Sequence, residues 1–281
     1  MKLSKSIENA LSSAVRILPD DVEKAIKRAD SIETGSLGKV VLDNILKNIE
    51  VSKETLLPLC QDTGMFWVLV SVGKKAKFNM SLLENEINQG CKAAAKNAYF
   101  RKSVVKDPLF DRTNTANNLP IVINYELVEG SDITIRILLK GFGSENCSSV
   151  RMLNPTASES DVVAAVVDIM KKAGGKPCPP VFLGVGIGGT MDKAAFLSKK
   201  ALLREGSNPD KRYRELENKI RQAVNELHIG PGGLGGDNTC LSVAIESFAT
   251  HIAGLPVAVT VNCHAERRAT VIVLGGYDGN S

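Results

Sequence analysis

The segment Gly64-Met65-Phe66-Trp67-Val68-Leu69-Val70-Ser71-Val72-Gly73 is an almost unbroken apolar run that begins and ends at a glycine. Short runs of this kind, rich in aromatic and β-branched residues, are typical of strands buried on both faces. The segment is far shorter than the roughly 18 residues that a membrane-spanning helix needs. It therefore predicts a buried strand.

The sequence on both sides of this strand is predicted to be rich in helices. Apolar residues recur at helical spacing through about the first 50 residues, which indicates three helices. Capping-box patterns open two more, Ser81 with Glu84 and Ser158 with Asp161. Further helices are predicted over residues 190–203 and 208–228, and strands over residues 121–128, 132–140, 181–187, 257–261 and 269–274, the first two as a hairpin.

The order of these elements indicates the fold class. Helices and strands do not alternate regularly, and the predicted hairpin is antiparallel, so we predict an α+β fold: a helix-rich chain with small mixed or antiparallel sheets. A length of 281 residues suits two average domains or one large one. Because no internal repeat or low-complexity linker interrupts the sequence, we predict one large domain over residues 1–281, with a soft subdivision near residues 150–160.

Composition and charge exclude several classes of protein. Hydrophobic residues make up 43% of the chain and charged residues 23%, as in ordinary globular proteins. A net charge of +4, from 35 basic and 31 acidic residues, does not indicate nucleic acid or a membrane as partner. No secretory signal and no membrane span are visible, so we expect a cytoplasmic protein with reduced thiols. A local basic pocket for an acidic small molecule remains compatible with this charge.

The six cysteines are the least ordinary feature of the composition. They lie far apart and form no Cys-x-x-Cys motif, which argues against a zinc ribbon, a thioredoxin motif or a disulfide scaffold. Cys91 lies within a predicted helix beside alanines and is expected in the core. Cys60, Cys178 and Cys263 lie at predicted strand ends, in polar or proline-rich segments. Singly each is best explained as a turn with a buried thiol, whereas together they suggest a metal or cluster site.

Other motifs leave their alternatives open. Gly184–Thr190 and Gly230–Gly236 could offer N–H groups to an anion or permit close packing, and neither fits a nucleotide-binding motif. His264, beside Cys263, could be a ligand, a proton donor or a hydrogen-bonded structural histidine. The guanidinium group of arginine can bind a carboxylate through two hydrogen bonds. The candidates for such binding are Arg101, Arg112, Arg151, Arg267 and Arg268.

Several blocks follow one another along the chain: Cys60-Gln61-Asp62-Thr63-Gly64, Lys140-Gly141-Phe142-Gly143-Ser144-Glu145-Asn146, Cys178-Pro179-Pro180, Gly186-Ile187-Gly188-Gly189-Thr190, Gly230-Pro231-Gly232-Gly233-Leu234-Gly235-Gly236, and Leu255-Pro256-Val257-Ala258-Val259 leading into Cys263 and Arg267-Arg268. In content and order they resemble the class I fumarate hydratase and L-tartrate dehydratase family, over about residues 30–274. The resemblance is to the alpha subunit of the two-subunit form. Phe142 departs from the family pattern, which usually has glycine there.

The resemblance implies a [4Fe-4S] cluster held by Cys60, Cys178 and Cys263, with Cys240 as the alternative third ligand. It implies no ligand role for Cys147. It further implies Asp62 as the acid or base, Gln61 and Arg101 as substrate-binding residues, and a close approach of substrate to the Gly143 backbone. Three ligands leave one iron open to act as a Lewis acid. Removing a carbon-bound proton next to a carboxylate additionally needs a base and nearby cations.

The implied activity is a hydro-lyase that reversibly hydrates fumarate to (S)-malate. The implied partners are a small dicarboxylate and a beta subunit, with a homodimer of alpha–beta pairs as the assembly. L-tartrate dehydration is an alternative within the same family. A non-enzymatic module that binds zinc through Cys60, Cys178, Cys263 and a histidine is an alternative of another class, as is a purely structural chain with buried thiols.

Overall fold

The computed structural model describes residues 2–278. The helices are α1 (Leu3–Ala14), α2 (Asp20–Ile32), α3 (Ser36–Thr55), α4 (Met80–Asn97), α5 (Phe142–Glu145), α6 (Glu159–Ala173), α7 (Met191–Leu202) and α8 (Lys211–Asn225). The strands are β1 (Met65–Gly73), β2 (Lys77–Phe78), β3 (Val122–Val128), β4 (Ile133–Lys140), β5 (Ser149–Leu153), β6 (Val181–Gly188), β7 (Cys240–Phe248), β8 (Leu255–Asn262), β9 (Arg268–Val273) and β10 (Gly276–Tyr277). This mixture confirms the predicted α+β class. Among these residues, no helix is long and apolar enough to cross a membrane.

The described residues form two compact units that are interleaved in sequence. Unit 1 contains residues 2–19, 49–141 and 267–278, and unit 2 contains residues 20–48 and 142–266. Each unit has its own four-stranded sheet and its own apolar core. The single domain over residues 1–281 with a soft subdivision near 150–160 stays a prediction.

In unit 1, the predicted central strand is confirmed as β1, and from Phe66 onward all of its residues are buried. The strand order of the sheet is β3-β1-β4-β9. β3 runs parallel to β1, and β4 runs antiparallel to it. The predicted hairpin of residues 121–128 and 132–140 is therefore wrong, because β1 lies between the two strands. A strand that is buried on both faces has no water to pair its backbone, so it needs a neighbouring strand on each edge, and β1 has both.

The core of unit 1 forms where α1 and α4 pack together and α1 covers β9. α4 begins one residue before its predicted start, at Met80. Its N-cap is Asn79, whose side chain accepts a hydrogen bond from the backbone N–H of Leu82. The predicted capping box of Ser81 and Glu84 is wrong, because Asn79 is as good an N-cap residue and stands two positions earlier.

In unit 2, the strand order of the sheet is β5-β8-β6-β7, and β6 separates two layers of helices. Alternate side chains of β6, from Val181 to Ile187, join a core with α6 and α8. Between them, Gly184 and Gly186 bring the strand against the backbone of α7. Alternate residues of a strand point to opposite faces, so this pattern of bulky residue and glycine allows one helix layer to approach unusually closely.

Two further features of unit 2 bear on the predictions from sequence. The capping box of Ser158 and Asp161 is confirmed at the start of α6. The strand β7 was not predicted, because it lies at the edge of the sheet and its mixed composition lacks a clear period. Glu217 of α8 fixes this edge, since its carboxylate accepts hydrogen bonds from the backbone N–H of Ile245 and from the side chains of Arg204 and Asn208.

The close approach of β6 and α7 gives a test of the fold. A Cβ atom at position 184 would lie 2.0 Å from the carbonyl oxygen of Ser198 and 2.9 Å from the Leu202 side chain. Gly184→Ala should therefore lower the free energy of unfolding by at least ~2 kcal/mol in urea denaturation. The matched control is Gly254→Ala, where no heavy atom lies within 4 Å of the added carbon. Equal stability of the two variants would contradict this packing.

Candidate active site

Three segments distant in sequence meet at one edge of the sheet in unit 1. The segment Cys60–Gly64 leads directly into β1, whose first residue, Met65, lies opposite Lys140 at the end of β4. β9 pairs with β4 in turn, with Arg268 opposite Leu138. Arg267, which immediately precedes β9, accepts a hydrogen bond at its carbonyl oxygen from the N–H of Leu139. The pairing of the strands thus brings Cys60–Gly64, Lys140-Gly141 and Arg267 together.

The Cys60–Gly64 segment folds into a turn held by its own side chains. One carboxylate oxygen of Asp62 accepts a hydrogen bond of 3.1 Å from the backbone N–H of Gly64. The backbone N–H of Asp62 points at the Cys60 sulfur, 3.4 Å away. The Thr63 hydroxyl accepts a hydrogen bond of 2.9 Å from the backbone N–H of Arg101, which attaches the Arg101 segment to this turn. Cys60, Gln61 and Arg101 are exposed and Asp62 is half-buried.

Two buried cations accompany this turn. Arg267 is 1% exposed, and its Nη2 donates a hydrogen bond of 2.8 Å to the backbone carbonyl of Asp62. Lys140 is 2% exposed, and its Nζ donates to the carbonyl of Gly141 at 3.0 Å. A Cβ atom at Gly141 would lie 3.1 Å from the second carboxylate oxygen of Asp62, so glycine leaves that carboxylate its place. A carboxylate and two buried cations therefore lie at the same edge of the sheet as an exposed thiol.

In unit 2, two of the singled-out cysteines lie at one end of the sheet. Cys178 leads into β6, and Cys263 follows β8, which runs antiparallel to β6 with Asn262 opposite Phe182. The Nδ1 atom of His264 lies 3.1 Å from the carbonyl oxygen of Cys178, at hydrogen-bond distance. The Cys178 side chain is exposed and that of Cys263 is partly exposed. Strand pairing therefore brings together two segments that are 85 residues apart in sequence.

Cys240 begins β7 at the same end of this sheet, but its side chain belongs to the core. It is 1% exposed, and burial raises the pKa of its thiol to about 12. Burial in unit 1 raises the pKa of the Cys91 thiol to about 12 as well. Only a thiolate is a good metal ligand, so both positions disfavour ligation. The expectation that Cys91 is a core residue is confirmed.

The remaining sequence-predicted position is Gly143, which lies in the short helix α5 of unit 2 and is exposed. A Cβ atom there would come no closer than 4.0 Å to its nearest neighbour, the carbonyl oxygen of Lys176. Nothing among residues 2–278 therefore requires a glycine at this position. Cys147 lies next to it and its sulfur donates to the Gly143 carbonyl at 3.5 Å.

Packing within unit 2 explains the two glycine-rich segments for which anion binding was an alternative. Gly184 and Gly186 allow the approach of α7. In the second segment, a Cβ atom at Gly236 would lie 2.6 Å from a carboxylate oxygen of Glu33. Desolvation raises the pKa of that carboxyl group, but hydrogen bonds from the Asn238 side-chain amide and from the backbone N–H groups of Asp237, Gly35 and Asn238 hold the Glu33 pKa below its usual value. An internal carboxylate thus occupies the N–H groups of the two residues that directly follow the second segment.

The surroundings of Cys60 show one feature of iron–sulfur ligands. Within residues 2–278, no group of three or more His, Cys, Asp or Glu side chains converges as a metal ion would require. In a cluster each thiolate binds a different iron, so its ligands need not converge on one point. Backbone N–H groups directed at ligand sulfurs are typical of iron–sulfur sites, and the N–H of Asp62 is directed at Cys60 in this way. The surroundings of the Cys60 thiol therefore fit those of a cluster ligand.

Comparison with known proteins agrees with these features. The chain matches the family described as fumarate hydratase (Fumerase) over residues 4–272. A protein of Methanocaldococcus jannaschii, provisionally named L(+)-tartrate dehydratase subunit alpha, is 40% identical over 277 residues, which cover 96% of each chain. The L(+)-tartrate dehydratase subunits alpha of Escherichia coli O157:H7 and K12 are 33% and 32% identical, over 97% of this chain and 91% of theirs. The similarity thus extends over nearly the whole length of each protein.

The different burial of the cysteines predicts which of them react. Iodoacetamide at pH 8 should alkylate Cys60 and Cys178 in the folded, iron-free chain and react at least ~100-fold more slowly with Cys91 and Cys240, because the thiolate is the nucleophile. Peptide mass spectrometry measures each rate. In urea, which serves as the control, all six cysteines should react alike. Alkylation of native Cys240 as fast as Cys60 would contradict the burial of this thiol.

Proposed function

The chain belongs to the fumarate hydratase (Fumerase) family of hydro-lyases, and on this premise we propose that it is the cluster-binding alpha subunit of a fumarate hydratase. The proposed reaction is the reversible addition of water to fumarate, which gives (S)-malate. The observation that carries the proposal is the turn Cys60–Gly64, in which an exposed thiol and a half-buried carboxylate lie beside two buried cations. A base next to cationic groups is what proton removal beside a carboxylate requires.

The proposed ligands of a [4Fe-4S] cluster are Cys60, Cys178 and Cys263. The burial of Cys240 supports Cys263 as the third ligand, because an apolar core disfavours the thiolate form of Cys240 that would bind iron. When bound, such a cluster would supply a Lewis-acidic iron that withdraws electrons from a substrate oxygen. His264 would orient the Cys178 segment through its contact with the backbone. Cys147 has no role in this proposal.

Asp62 is the proposed acid or base. In the direction of dehydration, its carboxylate would take the proton from the carbon next to a substrate carboxylate. The neighbouring carbon would lose its hydroxyl group as hydroxide, which takes up a proton from solvent to give water. In hydration Asp62 would return the proton. Gln61, whose amide is exposed beside Asp62, would hydrogen-bond the substrate. Arg101 would pair with one substrate carboxylate, since its segment is attached to the same turn through Thr63.

Substrate would also approach the backbone at Gly143. The space around Gly143 supports this role, because no neighbour in the described part of the chain requires this position to lack a side chain. The open space instead suits a molecule from outside the chain. Gly143→Ala should accordingly be tolerated by the fold.

Tartrate is the second candidate substrate, and the names of the relatives support it. Tartrate differs from malate by one hydroxyl group, which sits on the carbon that loses its proton. A site that hydrogen-bonds this hydroxyl would discriminate strongly between the two substrates. The relatives are also named as alpha subunits, which supports a beta subunit as the partner of this chain. We further propose a homodimer of alpha–beta pairs, a place in the tricarboxylic acid cycle and a cytoplasmic location.

The cluster proposal is tested by cysteine variants of the chain co-expressed anaerobically with its beta subunit. The wild-type protein should be brown and contain ~4 iron and ~4 sulfide per alpha chain. Cys178→Ser and Cys263→Ser should each lose most of this content. The matched control, Cys240→Ala, should keep its iron despite the loss of a core thiol. A full cluster in Cys178→Ser would refute the ligand assignment, and zinc without sulfide in the wild type would favour the zinc-binding module.

The role of Asp62 is tested by Asp62→Asn in the same complex. The amide keeps the size of the side chain but cannot take a proton, so hydration of fumarate should fall by ~10²–10⁴-fold with the iron content unchanged. The surface variant Glu129→Gln, which removes an ion pair with Lys74 between two exposed side chains, should retain full activity. Assays with fumarate and with tartrate decide the substrate. Wild-type activity in Asp62→Asn would exclude Asp62 as the acid or base.

A further inference from the structure

Arg267 has the largest of the fully buried side chains in the described part of the molecule. Its Nη2 donates to the backbone carbonyl of Asp62, whereas its Nε and Nη1 atoms are buried without a hydrogen-bond partner among residues 2–278. A buried guanidinium with unused donors is costly, because those groups have lost water without gaining a replacement. Burying such a residue therefore needs a reason other than stability.

Arg204 differs from Arg267: its side chain is 15% exposed, and although its Nε has no partner among the described residues, its two terminal nitrogens are both paired. Arg204 forms ion pairs with Glu217 and Glu246 and donates to the carbonyl of Ile245. These contacts join a helix to an edge strand, so their structural role is evident. Arg267 instead directs its guanidinium to one backbone atom of one short turn, that of the proposed acid or base.

The turn itself depends on outside support. The hydrogen bonds from the Gly64 N–H to the Asp62 carboxylate and from the Asp62 N–H to the Cys60 sulfur are local, and they fix these side chains relative to the backbone of the turn. They do not fix the turn relative to the sheet. Arg267 does this, because its backbone is held by Leu139 of β4 and its side chain holds the carbonyl of Asp62. Gly141 completes the arrangement by leaving space for the carboxylate.

We propose that Arg267 is a positioning residue that fixes the Asp62 turn, and with it the carboxylate, at the edge of the unit 1 sheet. This inference rests on the proposed role of Asp62. A carboxylate that must reach one carbon-bound proton loses its effect when it is misplaced by ~1 Å, which can cost ~100-fold in rate. Arg267 would thus act on catalysis through Asp62 and not through contact with substrate.

The test compares Arg267→Met with Arg136→Met. Arg136 belongs to the same sheet and is half-buried, and its guanidinium donates to the Ser71 hydroxyl, away from the turn. In the iron-free chain, hydrogen exchange measured by mass spectrometry should accelerate by at least ~10-fold in the peptide that covers residues 59–64 of Arg267→Met. The rest of the sheet should keep its protection, and Arg136→Met should leave the 59–64 peptide unchanged.

In the iron-loaded complex with the beta subunit, Arg267→Met should lower kcat by ~100-fold while KM and iron content stay within ~3-fold of the wild type. Arg267→Lys, which keeps one donor, should have a kcat and an exchange rate between those of the wild type and Arg267→Met. If Arg267→Met does not fold, the same measurements on Arg267→Lys decide the question. Unchanged exchange in the 59–64 peptide would overturn the proposal. So would a loss of activity that only follows a loss of iron or of folded protein.

The exchange measurement separates this inference from the proposed function. If the wild-type complex neither hydrates fumarate nor dehydrates tartrate, the proposed function fails. Faster exchange confined to residues 59–64 of Arg267→Met would still support the hold of Arg267 on this turn.

Discussion

The burial of β1 is the constraint on which the candidate site of unit 1 depends. Every residue of this strand after Met65 is buried, so the strand gains stability only when both of its edges are paired and both of its faces are covered. β3 and β4 take the edges, and α1 and α4 supply core around it. The start of β1 is thereby fixed in space. The turn Cys60–Gly64 leads directly into this fixed start, which places the turn at the edge of the sheet.

Antiparallel pairing then explains how residues far apart in sequence assemble. The end of one antiparallel strand lies beside the start of its neighbour, so residues that follow the first meet residues that precede the second. In unit 1 this places Lys140 and Arg267 beside the start of β1. In unit 2 it places Cys263 beside Cys178. Chain separations of this size match no compact metal motif, because the spacing is set by the length of the elements in between and not by the ligands.

The sequence predicts local features well and non-local ones poorly. The strand β1, the capping box of α6 and the periods of the helices depend on neighbouring residues, and they are found as predicted. The pairing of β3 and β4 with β1 depends on burial that no local pattern encodes, so the expected hairpin was wrong. The site residues were identified by resemblance, and their spacing would not have selected them. The hold of Arg267 on Asp62 has no signal in the sequence, because arginines of this kind are common at surfaces.

Burial separates the cysteines in a way that composition does not. Cys91 and Cys240 face apolar cores, where the cost of ionisation keeps them as thiols, whereas Cys60, Cys178 and Cys263 retain access to solvent at strand ends. The cost of burying a charged group also makes Arg267 informative. Arginine does not escape the cost of burial by giving up its proton, since its pKa is too high. A buried thiol can therefore be a passive part of the core, but a buried arginine with unused donors requires a partner or a task. The turn of Asp62 is the one place in unit 1 to which the Arg267 guanidinium is tied in the described residues, and that turn is where a precise position matters most.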